Sequence, residues 1–267
     1  MKFAQLVVGP AGSGKSTYCS IIQKHCEIVG RTCHVVNLDP AAEDFNYLCQ
    51  LDIRDLISLD DVMEEMNLGP NGSQVFAMEY FVENFDWLEE QLNNNFGDND
   101  YILFDCPGQI ELFTHLPVMK AFVNALQSWD FRICGVYCLD VGFLTDSSKF
   151  VAGSVSALST MIQLEIPHVN VITKCDIVQD EELVSAFLQK DSLTLVSDLE
   201  KVTPSHMMPL NIALANLLED YSIVSYVSLK PDDEDSISSV LLSVDMNLQY
   251  HDEQDPTMRY DINDEFE

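Results

Sequence analysis

Four short stretches carry residue types whose spacing can do chemistry, and the first is a glycine-rich turn. Gly9-Pro10-Ala11-Gly12-Ser13-Gly14-Lys15-Ser16-Thr17 directly follows the apolar run 3–8. A strand feeding such a turn, with a helix opening behind it, points consecutive backbone N–H groups into one concavity and adds the positive end of the helix; that combination holds phosphate oxygens. Gly12, Ser13, Gly14, Lys15, Ser16 and Thr17 are therefore candidate nucleotide contacts. Lys15 is placed to reach the β- and γ-phosphates, and Ser16 offers a hydroxyl to Mg²⁺.

The second stretch is the apolar run 101–104 ending in Asp105 and continuing Cys106-Pro107-Gly108-Gln109. An acid at the carboxyl end of the strand beside a phosphate loop acts on Mg²⁺ directly or through water. Gly108 can give its backbone N–H to a γ-phosphate, and Gln109 stands where a side chain can orient water. Asp-x-x-Gly is weak by itself and becomes specific behind a phosphate loop.

In the third stretch the run 169–172 ends in Thr173-Lys174-Cys175-Asp176. A carboxylate at Asp176 can accept from both N1–H and the exocyclic amine of guanine, and adenine offers neither donor there, so guanine is selected as much by unpaired groups as by bonds gained. The Lys174 stem packs along the base plane. Thr173 occupies a place where GTP-binding proteins usually carry Asn, and its hydroxyl cannot reproduce an amide's two-sided bonding. Ser228-Leu229-Lys230 resembles the Ser-Ala-Lys loop that closes over guanine. The fourth stretch ends the run 34–38 with Asp39-Pro40. Asp39 there can bind Mg²⁺ through water or orient an attacking water, or it is only a turn acid before a helix.

These residues need a scaffold that brings strand ends together. Apolar runs recur at 3–8, 34–38, 101–104, 133–139, 168–173 and 223–227, with helix-length segments between them, the alternation of a parallel α/β sheet flanked by helices. The insertion 41–95 reads as largely helical. Within it Val75, Met78, Val82, Phe85, Leu88 and Leu92 keep a spacing of three or four and define one core-facing helix face. After the last run, Ile237, Val240, Leu241, Val244 and Leu248 mark an amphipathic helix with Ser236 as its N-cap. From 251 to 267 the chain is acidic, carries only Arg259 as a cation and has no periodicity, which predicts a disordered tail that solvates the chain or meets a partner. The expected domain is 1–250.

Composition narrows the partners. Forty-four acids against 13 Lys plus Arg give a formal charge of −31 in 267 residues. That balance repels nucleic-acid backbones and anionic lipid, so no direct nucleic-acid or membrane binding is expected. No run approaches the roughly 18 apolar residues of a membrane span, and the first strand starts almost at Met1, so a cytoplasmic protein is expected. The eight cysteines contain no C-x-x-C pair. They read as free, mostly buried thiols rather than as a zinc site.

Gly69-Pro70-Asn71, followed by Gly72, stands in the insertion. Taken with the stretches at 37–41, 105–109 and 174–176 in that order, the chain resembles the GPN-loop GTPases over about residues 3–250. Among their eukaryotic branches it is most similar to the third, through 9–19, Met78-Glu79-Tyr80-Phe81 and Asn84-Phe85-Asp86-Trp87-Leu88-Glu89. The resemblance implies a P-loop NTPase of the α/β class, with a mostly parallel sheet flanked by helices and a helical insertion carrying the GPN loop. It implies GTP/GDP and Mg²⁺ as cofactors, and dimerisation with a second copy or with another GPN-loop GTPase. Asn71 would face the partner's nucleotide site, with Asp39, Gln109 and Glu111 around the hydrolytic water. RNA polymerase II assembly or nuclear import is the implied role, with polymerase subunits as partners and access to the nucleus. Two other readings stand beside this one. A scaffold can keep nucleotide structurally and hydrolyse it negligibly, and a small-molecule kinase can use the same loop, although Arg31, Arg54, Arg132 and Arg259 are too dispersed to form an arginine-rich lid.

Overall fold

A computed structural model describes residues 2–97, 100–178, 184, 187–188, 192–220 and 225–250. Seven parallel strands form one sheet in the order β3-β2-β4-β1-β5-β6-β7. They are β1 (Lys2–Val8), β2 (Cys33–Asn37), β3 (Cys49–Asp52), β4 (Tyr101–Asp105), β5 (Phe131–Asp140), β6 (His168–Thr173) and β7 (Tyr226–Ser228). Every residue of β1 is buried, as expected of a central parallel strand covered on both faces. Its alternate residues serve two cores. Ala4, Leu6 and Val8 join the cluster containing Met78, Phe81, Leu88 and Phe122, whereas Phe3 and Val7 pack with Tyr18, Ile22, Val240 and Val244. The chain builds β2, β3 and β4 on one side of β1 and β5, β6 and β7 on the other. The loops leaving β1 and β4 therefore diverge at their carboxyl ends, where α/β sheets hold ligands.

Ten α-helices connect and flank these strands among the described residues: α1 (Lys15–Ile28), α2 (Leu59–Met66), α3 (Pro70–Glu83), α4 (Phe85–Asn95), α5 (Glu111–Thr114), α6 (Val118–Ser128), α7 (Ser147–Leu164), α8 (Ser192–Val202), α9 (Met208–Asp220) and α10 (Glu234–Leu248). None of the described helices is long and apolar enough to cross a membrane.

The insertion 41–95 is largely helical, with β3 pairing with β2 before its first helix begins. Two local expectations are corrected. The single apolar stripe spans two helices. Asn84 leaves the helical region at φ −118° and its side-chain amide donates to the Tyr80 carbonyl at 2.7 Å, yet α4 resumes in phase, so Met78, Leu88 and Leu92 are all buried in one core. Asp233, not Ser236, caps α10 by accepting from the Asp235 N–H. Ser236 instead donates to the Ser228 carbonyl at 2.9 Å and accepts from the Lys230 N–H at 3.0 Å, tying the end of β7 to the helix. Ile223 and the segment 251–267 lie outside the described residues.

At the amino end of β6, the His168 ring lies on Gly135 of β5, where a Cβ would come within 2.5 Å of His168 Cε1. Both ring nitrogens are buried, and a hydrogen bond to the Ile166 backbone only partly offsets their desolvation. Burial lowers the imidazole pKa to about 4. The unfolded chain then binds a proton more readily than the folded one below pH 6.5, so this group's contribution falls as pH drops from 6.5 towards 4. At about 1.4 kcal/mol per pH unit the loss reaches about 2 kcal/mol at pH 5. Urea unfolding at pH 7.5 and pH 5 is expected to show that much less acid sensitivity in His168→Phe than in the wild type. Equal sensitivity in both proteins refutes the assignment.

Candidate nucleotide site

The loop after β1 is fixed from beneath before any ligand is considered. Gly9 has φ 145°, and a Cβ there would fall 2.4 Å from the carbonyl oxygen of Cys138 in β5. Only glycine allows the loop to lie this close to its neighbouring strand. From β6, the Thr173 hydroxyl donates to the Ser13 carbonyl at 2.6 Å, with the Leu139 carbonyl at 3.2 Å as the second acceptor in reach. Gly14 precedes α1 without a side-chain cap, so the first N–H groups of that helix stay free for an anion. Lys15 is buried and its ammonium donates to the carbonyls of Gly9 and Pro10 at 3.1 and 3.2 Å.

A cavity of about 560 Å³ opens above this loop. It gathers Gly12, Gly14, Lys15, Ser16, Thr17, Asp39, Asn71, Gly108, Gln109 and Lys174 from five segments of the chain. Gly108 is a second position where glycine is required by close approach, since a Cβ there would lie 2.8 Å from Ala11 Cα. Asn71 sits in the first turn of α3, because Gly69 is the N-cap and Pro70 the first helical residue, the position where proline's missing N–H costs nothing. Gln109 Nε2 reaches the Asn71 carbonyl at 3.5 Å, so the Gly-Pro-Asn segment borders this chain's own phosphate loop. Lys174 adopts φ 59° and its ammonium pairs with Asp140 at 2.5 Å.

Other predicted residues stand below or beside the cavity. Ser13 is buried under the loop, and its hydroxyl has no partner among the described residues. Asp176 is exposed beyond Lys174, Ser228 ends β7, and Glu111 is exposed at the start of α5. None of the three lines the cavity. A cavity of about 610 Å³ between the end of α1 and α10 contains none of the predicted residues; chemistry, not volume, separates the two.

The two acids are held differently. Asp105 is buried at the end of β4, and its Oδ2 accepts from the Tyr47 hydroxyl at 2.9 Å. Its Oδ1 has no hydrogen-bond partner among the described residues. Burial raises its pKa, opposed by the Ser16 hydroxyl, Tyr47 and Lys15. Asp39 Oδ1 accepts from the Ala41 N–H and from Gln74 Nε2, each at 2.9 Å. Burial raises this pKa too, against the Ala41 hydrogen bond and the Lys15 charge. No group of three or more His, Cys, Asp or Glu among the described residues is arranged to hold a metal by itself. A cation at this site therefore depends on phosphate and water oxygens besides Asp105 and Ser16.

Sequence reasoning missed Tyr47 and Gln74. Gln74 carried a usable signal, since it lies three residues beyond Asn71 and hence on the same helix face. Tyr47 carried none, because it sits in an irregular segment without periodicity.

A phosphate loop between the first strand and first helix of a parallel sheet, with an acid ending the adjacent strand, defines a P-loop nucleotide-binding protein of the α/β class. A family model described as "Conserved hypothetical ATP binding protein" matches residues 7–250. GPN-loop GTPase 3 of Danio rerio is 48% identical over 254 residues, covering 93% of this chain and 88% of that protein. The protein of the same name in Mycosarcoma maydis is 45% identical over 275 residues, covering 98% and 97%. A GTPase from Pyrococcus abyssi, solved in apo form, superposes with a TM-score of 0.76 at 22% identity over 93% of this chain and 97% of that one, which shows the fold. The chain belongs to the GPN-loop GTPase family.

Thr173→Val keeps the shape and removes the donor that two main-chain carbonyls share, a change that costs about 1–3 kcal/mol where the acceptors stay buried. Urea unfolding should show that loss, and titration with fluorescent GDP should show weaker binding. Unchanged GDP affinity would mean that the loop is held without Thr173.

Proposed function

We propose that this protein binds guanine nucleotide with Mg²⁺ and hydrolyses GTP to GDP and phosphate, acting as a switch in a dimer with a second copy or another GPN-loop GTPase. The observation that carries the reading is the gathering of the phosphate loop, Asp39, Gln109 and Lys174 around one cavity. The relatives' name supports GTP as the nucleotide. Lys15 answers the phosphate charge together with the loop N–H groups, exchanging carbonyl partners for phosphate oxygens. Asp105 Oδ1, left open in a buried pocket, and the Ser16 hydroxyl fit a hard cation. Mg²⁺ would be held there by Asp105 and Ser16 and would supply positive charge to the phosphate. Asp39 accepts a proton or hydrogen bond from water, and the Gln109 amide, both donor and acceptor, can align that water with the γ-phosphorus. In the family reading Asn71 and Glu111 complete the hydrolytic surroundings, with Asn71 serving across the dimer. RNA polymerase II assembly or nuclear import, with polymerase subunits as partners, remains the proposed cellular role and rests on the resemblance.

The matching family model is described as ATP binding and the relatives are named GTPases, so base choice is the point to test, and we assign it to the end of β6. Asp176 is the proposed guanine reader, with Thr173 and Lys174 before it and Ser228 on the neighbouring strand. In competition among GTP, ATP and xanthosine triphosphate, the wild type is expected to prefer GTP. Asp176→Asn replaces one acceptor with a donor that confronts the base's own N–H groups, so GTP should weaken and the xanthine nucleotide gain. A mutant that keeps the wild-type margin for guanine removes Asp176 from base reading. Lys15→Ala leaves the triphosphate charge to backbone donors and the cation. It should fold and lose tight GTP binding in the same assay; a folded variant of unchanged affinity refutes the phosphate-loop assignment.

A further inference from the structure

Gln74 is a buried polar side chain that lines the nucleotide cavity and belongs to no nucleotide-binding motif of the sequence. Its amide faces a carboxylate, which only accepts, so Nε2 is the atom presented to Asp39 Oδ1 at 2.9 Å. The Ala41 N–H reaches the same oxygen. The backbone of Asp39 is fixed as well: its N–H donates to Asn37 Oδ1 and its carbonyl accepts from Asn37 Nδ2, both at 3.0 Å. Asp39 is thus held through its main chain and one carboxylate oxygen, and the second oxygen is the one free to meet water.

The residue's place on α3 gives this contact its meaning. Asn71 lies in the first turn of that helix, bonded through its carbonyl to Gln109, and Gln74 follows three residues later on the same face. A displacement of α3 moves the Asn71–Gln109 contact and the Asp39 carboxylate together. We propose that Gln74 is a positioning residue for GTP hydrolysis, which aims the Asp39 carboxylate and couples it to the helix that begins with Gly69-Pro70-Asn71. The proposal rests on the GTPase reading above. It assigns Gln74 no contact with the reacting atoms; its effect passes through Asp39.

Gln74→Met keeps length and removes the donor. Loss of a partner that orients an active-site group costs about ten- to a hundredfold in activity. Q74M is therefore expected to lower kcat by at least about tenfold, with KM for GTP, affinity for GDP and melting temperature close to wild type. Gln74→Glu keeps polarity, reverses the donor and should lose at least as much. In a D39N background, Q74M should change kcat less than twofold, because the two act as a unit. Wild-type kcat in both variants, or an equal fold loss with and without D39N, overturns the proposal. A crystal structure of Q74M supplies a readout independent of turnover: Asp39 is expected in a changed or second rotamer, and a single unchanged rotamer also overturns it. A wild-type protein that does not turn over GTP counts against the functional reading instead, and the crystallographic test of Gln74 still stands.

Discussion

A row of backbone N–H groups can hold a triphosphate only if it is shaped before the triphosphate arrives, and here that shape is imposed by two contacts beneath the loop. One is the seating of Gly9 against the Cys138 carbonyl of β5; the other is the hydroxyl of Thr173 on the Ser13 carbonyl. Both strands that supply them are parallel neighbours on the same side of β1. The sheet's twist and register therefore set the loop's curvature. A preorganised donor array loses little orientational freedom on binding, so its electrostatic gain is not consumed by ordering the loop. Thr173 illustrates the trade. A side chain given to the loop's backbone has less to offer the base, and the proposed reading therefore leaves discrimination to the exposed carboxylate two positions beyond Lys174.

The same logic governs the acids. Burial alone would favour protonating Asp39 and Asp105, and a protonated carboxyl is a poor partner for either water or a cation. Neutral donors and Lys15 pull against that tendency without closing off the carboxylates. Tyr47 occupies one oxygen of Asp105, while Gln74 and Ala41 occupy one oxygen of Asp39. Behind them runs a supporting chain: Asn37 donates to Asp52, Asp52 pairs with Arg54, and Arg54 lies 4.7 Å from the ring of Phe45, which stacks on Tyr47. The edge strand β3, which ends at Asp52, thus contributes to the position of both carboxylates without touching the cavity.

That chain also marks where the sequence was legible and where it was not. The phosphate loop, the acids ending strands and the six apolar runs were readable because each is local: a turn, a strand and a strand end follow one another within about ten residues. β3 escaped because its four residues, Cys49-Gln50-Leu51-Asp52, alternate apolar and polar only twice, too short a run to establish a period of two. The break at Asn84 escaped because the helix resumes in phase, leaving the three-and-four spacing intact. Ser236 was misread for a different reason. Its hydroxyl suits an N-cap chemically, but Asp233 lies earlier and captures the free N–H, and the serine finds the end of β7 instead. Tyr47 is a tertiary fact entirely: a phenol 58 residues away from Asp105 in sequence becomes its partner only once β2 and β4 are paired.

The charge of this chain, −31, sets the remaining constraint. A triphosphate approaching such a protein meets net repulsion beyond contact range, although at physiological salt that repulsion is screened over about 8 Å. What counts is the field inside the cavity, where water is scarce and each donor acts at higher effective strength than in solution. Lys15, the free N–H groups opening α1 and the Lys174 ammonium stand within that short range. Distant acids can therefore accumulate without abolishing phosphate binding, because the buried Lys15 and the shaped loop act on the nucleotide at contact range.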